Sequence, residues 1–462
     1  MNPAATAERI FNYLPFTPHT LQVKLVAMLA DFVTSRPYRG VFIINGYAGS
    51  GKTSVVGALI KAMTDEKMKS VMLAPTGRAA KVAADMALGK ASTIHKRIFR
   101  PDSRSPNARY FLGPNPDRNT LFIVDEASLV TDGYPASSLL QQLLRYVFSN
   151  EGNLLLLVGD TAQLPPVGMS VSPAMHPERL RQLGFEPIEY TLDITLRQTG
   201  ESGILYNATI MRRAMSMARD NYSPALDVKG YQDIEVISST DLADRLAQSW
   251  SEVGVDNTII ITRSNARANR YNLAIRNMVM YAEEPLQQGD RLVIAKNDYY
   301  WSKINHLDNF IANGDMAEVK WVGRTEKMYG RYFVESELYF PSSDLQIGAK
   351  IMLRSLNSEG PAIPQSEMER FYNTVLTMQE GELSEKIRDT LNDPYYNAIQ
   401  AKYGYCVTCH KAQGGQWPHV YVDMSGIDPD ALDESFYRWA YTAFTRATER
   451  LFLINPTIPI LS

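Results

Sequence analysis

Val41-Phe42-Ile43-Ile44-Asn45-Gly46-Tyr47-Ala48-Gly49-Ser50-Gly51-Lys52-Thr53 decides the reading of this chain. An apolar run of strand type feeds a glycine-rich loop of the form G-x-x-x-x-G-K-T, and Val55, Val56, Leu59 and Ile60 then recur at helical spacing. Strand, loop and helix in that order form a phosphate cradle. The glycines let backbone N–H groups converge on phosphate oxygens, Lys52 reaches the β and γ phosphates, and the Thr53 hydroxyl is placed to ligate Mg²⁺. Gly46, Gly49, Ser50, Gly51, Lys52 and Thr53 are therefore expected to bind a nucleoside triphosphate.

Outward from the loop, the same grammar repeats. Val71-Met72-Leu73 leads to Ala74-Pro75-Thr76-Gly77-Arg78, Leu121–Val124 to Asp125-Glu126-Ala127-Ser128, and Leu154–Val158 to Gly159-Asp160-Thr161-Ala162-Gln163. Continuous short apolar runs are the mark of parallel strands buried on both faces, and ligands gather beyond their carboxyl ends. The first half is thus an α/β domain. Thr258–Ile261, Val420–Asp423 and Leu451–Ile454 start a second series, which predicts a second α/β sheet.

Two stretches fit neither sheet. Residues 97–119 are rich in Pro, Arg, Asn and Ser and read as an inserted hairpin. Residues 287–403 carry turn signals and an alternating segment, Tyr332 to Leu338, so a β-rich module is expected, with a helical pattern from Ser366 to Lys402.

The chain has 462 residues, 45% of them apolar and 21% charged, with a formal charge of −3. That length can hold two or three domains without a metal or disulfide. The charge argues against coating nucleic acid by bulk electrostatics, so any strand must be gripped locally. No apolar run approaches the roughly 20 residues of a bilayer span, and the first residues lack a basic-then-apolar secretory pattern, so no membrane association and a cytoplasmic setting are expected. Cys406-Val407-Thr408-Cys409-His410 matches the spacing of covalent haem attachment. That attachment implies export, and zinc would need further ligands, so neither haem nor zinc is expected.

Asp125-Glu126, after its buried strand, supplies what the loop lacks: Asp125 to hold the metal and Glu126 to orient and deprotonate water. Gln163 is placed to sense the γ-phosphate. Developing phosphoryl charge also calls for arginine, whose fork suits it. Arg197 in Leu196-Arg197-Gln198 and Arg446 in Thr445-Arg446-Ala447 are candidates, although each could equally be a solvated helix arginine.

Taken in order, these segments resemble superfamily 1 helicases, in particular the group containing RecD, the phage Dda helicase and the PIF helicases. The motifs carrying the likeness are a glutamine motif around Gln22, the phosphate loop, Ala74 to Ala80, Thr93-Ile94-His95, Asp125 to Ser128, Gly159 to Gly168, Leu196 to Gln198, Thr408 to Gly414 and Tyr441 to Ala447. The resemblance implies two RecA-like domains: residues 1–185, with 97–119 as a pin-like insertion, and residues 186–286 with 404–462. It implies an SH3-like insertion with a helical extension at 287–403. Arg197 and Arg446 become arginine fingers, Gln22 the adenine reader, and Gly414 part of a nucleotide-sensing motif. Pro75, Thr76, Thr93, His95, Asn265, Thr408, His410 and Lys411 become contacts to single-stranded DNA, with Phe99 a wedge at the single-strand/duplex junction.

The function so implied is an ATP- and Mg²⁺-dependent DNA helicase moving 5′ to 3′, acting as a monomer. Each polar DNA contact could instead be a cap or turn residue, and Phe99, Tyr110 and Phe111 could instead anchor the hairpin. A nucleotide-dependent switch that binds a protein without moving on DNA is the rival class. It has no need of the Thr93 and Thr408 segments.

Overall fold

The computed structural model describes residues 2–86, 91–101, 110–131, 138–193, 202–217, 224–307, 310–428 and 432–461. Among them, three larger sheets organise the chain. The first is parallel and six-stranded, in the order Ala91–Thr93, Ser70–Ala74, Leu121–Val124, Leu154–Gly159, Val41–Gly46, Ile188–Leu192. Its central strands are apolar throughout because helices cover both faces. Leu154 to Gly159 is buried at every position, as parallel packing requires. The last strand pairs with Val41–Gly46, so the first sheet runs on past residue 185.

The second sheet is also parallel, with five strands in the order Cys406–Thr408, Thr258–Thr262, Trp417–Asp423, Ala447–Ile454, Ile234–Ile237. Thr262 lies beside Thr408 at the carboxyl ends, which brings Asn265 and the Thr408 segment to one edge.

The third sheet is antiparallel, in the order Leu345–Met352, Arg331–Phe340, Met316–Met328, Arg291–Ile294, Ala401–Tyr403. It shares an apolar cluster with one face of the second sheet, where Leu292 and Tyr403 meet Ile260 and Tyr421. Helices Gln365–Met378 and Leu383–Leu391 extend it, seated through Phe371 and Val375 against Phe333. A two-stranded antiparallel ribbon, Phe99–Pro101 with Tyr110–Leu112, leaves the first sheet, and its tip lies outside the described residues. At its base the buried Asp117 accepts from both Lys69 and Arg97, and these cations hold its carboxyl below the usual range against the opposing effect of burial. No described helix is long and apolar enough to cross a membrane.

Candidate nucleotide site and nucleic-acid interface

The phosphate loop leaves the central strand at Gly46 and enters helix Lys52–Asp65 through Gly51, whose φ of +82° is open to glycine at little cost. Lys52 Nζ donates to the Gly46 and Tyr47 carbonyls at 2.5 and 3.1 Å, so its ammonium lies inside the loop. Gln22 does not face open space. Its Nε2 donates to the Ser50 carbonyl at 3.0 Å and its Oε1 accepts from His19 N at 3.0 Å. The side chain thus braces the loop and caps its own helix, a placement different from the expected adenine reader.

The Thr53 hydroxyl is exposed at the head of that helix. Across the crevice stands Asp125, whose carboxyl is raised to about 7 by burial and by the Glu126 carboxylate, with Lys52 pulling the other way. A hydroxyl and a carboxylate are hard oxygen donors and fit a hard divalent cation. Glu126 adopts φ +52°, a left-handed conformation that a side-chain-bearing residue seldom occupies. That turn projects two successive carboxylates from the end of one strand. Gln163 is buried with its Oε1 lacking a partner among the described residues, as is the Ser50 hydroxyl in the loop. Such orphans are costly unless a ligand completes them.

The second sheet meets this loop directly. Helix Glu434–Phe444 presents Arg438, Tyr441 and Thr442 along one face, with Thr445 at its end. The Ala48 N–H in the phosphate loop donates to the Tyr441 hydroxyl at 2.8 Å, which in turn donates to Asp160 at 2.6 Å. Leu164 N donates to Thr442 Oγ1 at 2.8 Å, Arg438 donates to the Thr161 carbonyl at 2.5 Å, and Gln413 Nε2 donates to the Leu164 carbonyl at 2.5 Å. Ala162 and Leu164 are buried in one apolar cluster with Trp439 and Phe444, so the two sheets share a core at this seam. On helix Gly203–Met217, Arg212 stacks on the Tyr47 ring at 3.9 Å while paired with Asp193 at 2.6 Å.

Arg446 is buried at the end of the same helix. It donates to the Thr442 and Gly415 carbonyls at 3.0 and 3.2 Å and to Thr445 Oγ1 at 3.1 Å. Arg197 lies outside the described residues. Sequence reasoning gave no role to Arg438, Tyr441 and Arg212, although Tyr441 and Arg212 contact the loop and Arg438 the Thr161 segment beside it. The first two carried a signal: positions 438, 441, 442 and 445 repeat at the spacing of one helix face.

Gly414 falls away from the phosphate loop. At φ +72° it abuts Thr76 and Ala79, where a Cβ would sit 2.9 Å from the Ala79 Cβ. Arg78 stacks on Trp417 at 3.8 Å beside it, its guanidinium lowered to about 9 by burial and by Arg291. Thr76, Arg78 and Ala79, after a strand of the first sheet, thus meet Gly414 and Trp417 of the second half. Thr93 caps helix Ile94–Ile98 through Lys96 N at 3.1 Å, and Thr76 Oγ1 accepts from Ala79 N at 3.2 Å. Both hydroxyls therefore hold backbone turns. Asn265 opens helix Asn265–Met278 with Ser264 as its cap, Thr408 is buried, His410 is exposed and Lys411 half-buried. His95 lies 5.7 Å from Phe99 and 6.4 Å from Phe310 of the third sheet's module. Phe99 packs half-buried against the first core, while Phe111 is 49% exposed. Both cysteines are free and buried, with thiols raised by burial, and no described cluster of His, Cys, Asp or Glu could hold a metal ion.

Two family descriptions match the chain on either side of this seam. An AAA domain covers residues 22–179 and a UvrD-like helicase C-terminal domain covers residues 403–454. The ATP-dependent RecD2 DNA helicase of Deinococcus radiodurans is 24% identical over 89% of the chain. On these matches the chain is similar to superfamily 1 helicases of the RecD and Pif1 type.

The chain spans 46% of that RecD2 protein. It spans the whole of an uncharacterized protein of Acanthamoeba polyphaga mimivirus, at 22% identity over 95% of its own length. Among solved structures it is similar to a Pif1 helicase from Bacteroides in complex with ADP-AlF3 and ssDNA, at 16% identity and a TM-score of 0.47, covering 97% of this chain and 95% of that one.

Proposed function

We propose that this protein is a helicase that moves 5′ to 3′ along single-stranded DNA and separates duplexes ahead of it, driven by hydrolysis of Mg-ATP at the seam between its two parallel sheets. One observation carries the reading: the Tyr441 hydroxyl of the second sheet is hydrogen-bonded to the Ala48 N–H inside the phosphate loop of the first. A nucleotide that reshapes the loop must therefore act on both halves, and alternating grips on a strand convert that action into steps.

Lys52 neutralises the β and γ phosphates, and Glu126 positions and deprotonates the attacking water. Thr53 and Asp125 would hold Mg²⁺, which supplies charge neutralisation at the phosphates. Gln163, with its free buried oxygen, completes the γ-phosphate shell. Arg446 and Arg197 supply cationic charge from the second half. Pro75, Thr76, Thr93 and His95 on one side and Asn265, Thr408, His410 and Lys411 on the other line the strand path. The ribbon bearing Phe99 and Phe111 meets the junction.

Strand displacement on 5′-tailed and 3′-tailed duplexes of DNA and RNA tests this reading. Displacement of the 5′-tailed DNA alone is expected. Displacement from the 3′ tail, or none from either with ATP turnover intact, would overturn it.

A further inference from the structure

Beyond Lys411 the second half carries a basic feature that none of the helicase motifs accounts for. Lys402, on the edge strand of the third sheet, is only 5% exposed. Its Nζ donates to Asn269 Oδ1 at 3.0 Å, and among the described residues no carboxylate is paired with it. A buried ammonium is costly without a countercharge. Burial, and after it the Lys411 ammonium, lowers Lys402 to about 8, so two cations share this corner. Asn269 lies one helical turn after Asn265 and donates in turn to the Ser358 carbonyl.

That contact leads to a groove of about 750 Å³ whose lining includes Asn357, adjacent to Ser358. The groove runs between the long antiparallel strands and helix Gln365–Met378. Arg331, Arg354 and Arg370 line it against a single carboxylate, Glu367, which takes Arg331 at 2.7 Å and Arg354 at 4.0 Å. The Arg354 side chain is 56% exposed, and Arg370 is exposed with its Nε donating to the Ser366 carbonyl at 3.3 Å. Tyr332 at the rim is 54% exposed. A net positive groove with an accessible aromatic face is the chemistry of single-stranded nucleic acid: guanidinium for phosphate, ring for base.

We propose that the single-strand track does not end at the Thr408 to Lys411 segment but continues past Asn269 and Lys402 into this arginine-lined groove, which holds the phosphates of a further stretch of strand. The inference rests on the DNA-binding reading above. It adds a second, separable site on the third sheet's module.

The test is equilibrium binding of labelled oligothymidylates of about 8 and about 20 nucleotides across a salt series. The protein is the full chain, with and without the paired substitutions Arg354→Ser and Arg370→Ser. Both residues are exposed, so the fold is expected to persist. Two lost phosphate contacts at about 0.7 each lower the salt slope for the long strand by about 1.4, which over a decade of salt is roughly 25-fold in affinity at 0.1 M. The short strand is expected to bind unchanged. Equal affinities and slopes for wild type and variant on the long strand would overturn the proposal and leave the groove to another anion, such as an acidic peptide. Loss on both strands alike would also overturn it, since the groove would not be a separate extension. Failure of the wild type to bind either strand would instead sink the DNA-binding reading itself.

Discussion

The Tyr441 hydroxyl accepts from Ala48 N–H at 2.8 Å and donates to Asp160 at 2.6 Å, linking residues 393 and 281 positions apart in sequence. The phenol is buried, and burial followed by the Asp160 charge raises its pKa far above the ordinary value, so it stays a donor. Tyr441→Phe keeps the ring and removes both bonds. Asp160 keeps the Ala162 N–H on its other oxygen, so the loss falls on one buried carboxylate oxygen and the Ala48 N–H, at a cost of about 1–3 kcal/mol. Turnover in the presence of single-stranded DNA is expected to fall roughly tenfold, measured by steady-state phosphate release. Unchanged turnover would show that the seam does not transmit through this hydroxyl.

Glu126 projects from a turn at φ +52°, beside an Asp125 whose carboxyl is raised to about 7 by burial and by Glu126 itself. Glu126→Gln is expected to retain nucleotide binding while lowering hydrolysis by about 10²–10⁴. Binding of a fluorescent ATP analogue and single-turnover hydrolysis separate the two effects. Normal hydrolysis in this variant would remove Glu126 from the water-activating role.

Much of the fold was legible because its core strands are unbroken apolar runs that end in polar clusters. Val41 to Ile44 and Leu154 to Val158 are buried strands placed as their patterns indicate. The strand Ile188–Leu192 was harder, since as an edge strand it is exposed at Ile188, Glu189 and Thr191 and lacks the apolar signature. In the site, the motif order gave the loop and the Asp125-Glu126 pair. Gln22, by contrast, could not be placed from spacing, because its partner is a backbone carbonyl 28 positions away, which no side-chain pattern encodes. Arg212 was hidden for a similar reason: its contact is the ring of Tyr47, a residue inside the motif whose identity the motif leaves open.

Arg446 donates to three protein oxygens in a buried pocket, so removing it affects more than phosphoryl charge. Two freed buried carbonyls and a cavity predict a stability loss of about 2–4 kcal/mol for Arg446→Ala. A lowered unfolding midpoint in urea should accompany the loss of turnover. Arg438→Ala, at a half-buried position bonded to the Thr161 carbonyl, is expected to lower turnover with a smaller stability loss. The reverse ranking of stabilities would contradict these placements.

His419 is buried, with Nδ1 2.9 Å from Ser249 Oγ and Nε2 4.0 Å from Glu252. Burial, and after it the Arg450 guanidinium, lowers its pKa below the ordinary 6.5, so the unfolded chain takes the proton first. Its contribution is therefore intact above about pH 6.5 and is lost as the pH falls below that value, at up to about 1.4 kcal/mol per pH unit. Urea midpoints between about pH 5 and 7.5 should show a shallower acid slope for His419→Gln than for wild type. Equal slopes would rule out His419 as a source of acid lability.

A strand laid across both halves must favour the arrangement in which the second sheet closes on the phosphate loop, so DNA and hydrolysis are coupled. Steady-state ATP hydrolysis with and without single-stranded oligothymidylate measures this coupling most directly. Stimulation by at least about tenfold, absent from Lys52→Ala, is the expected result. A wild-type rate indifferent to saturating oligothymidylate would contradict it.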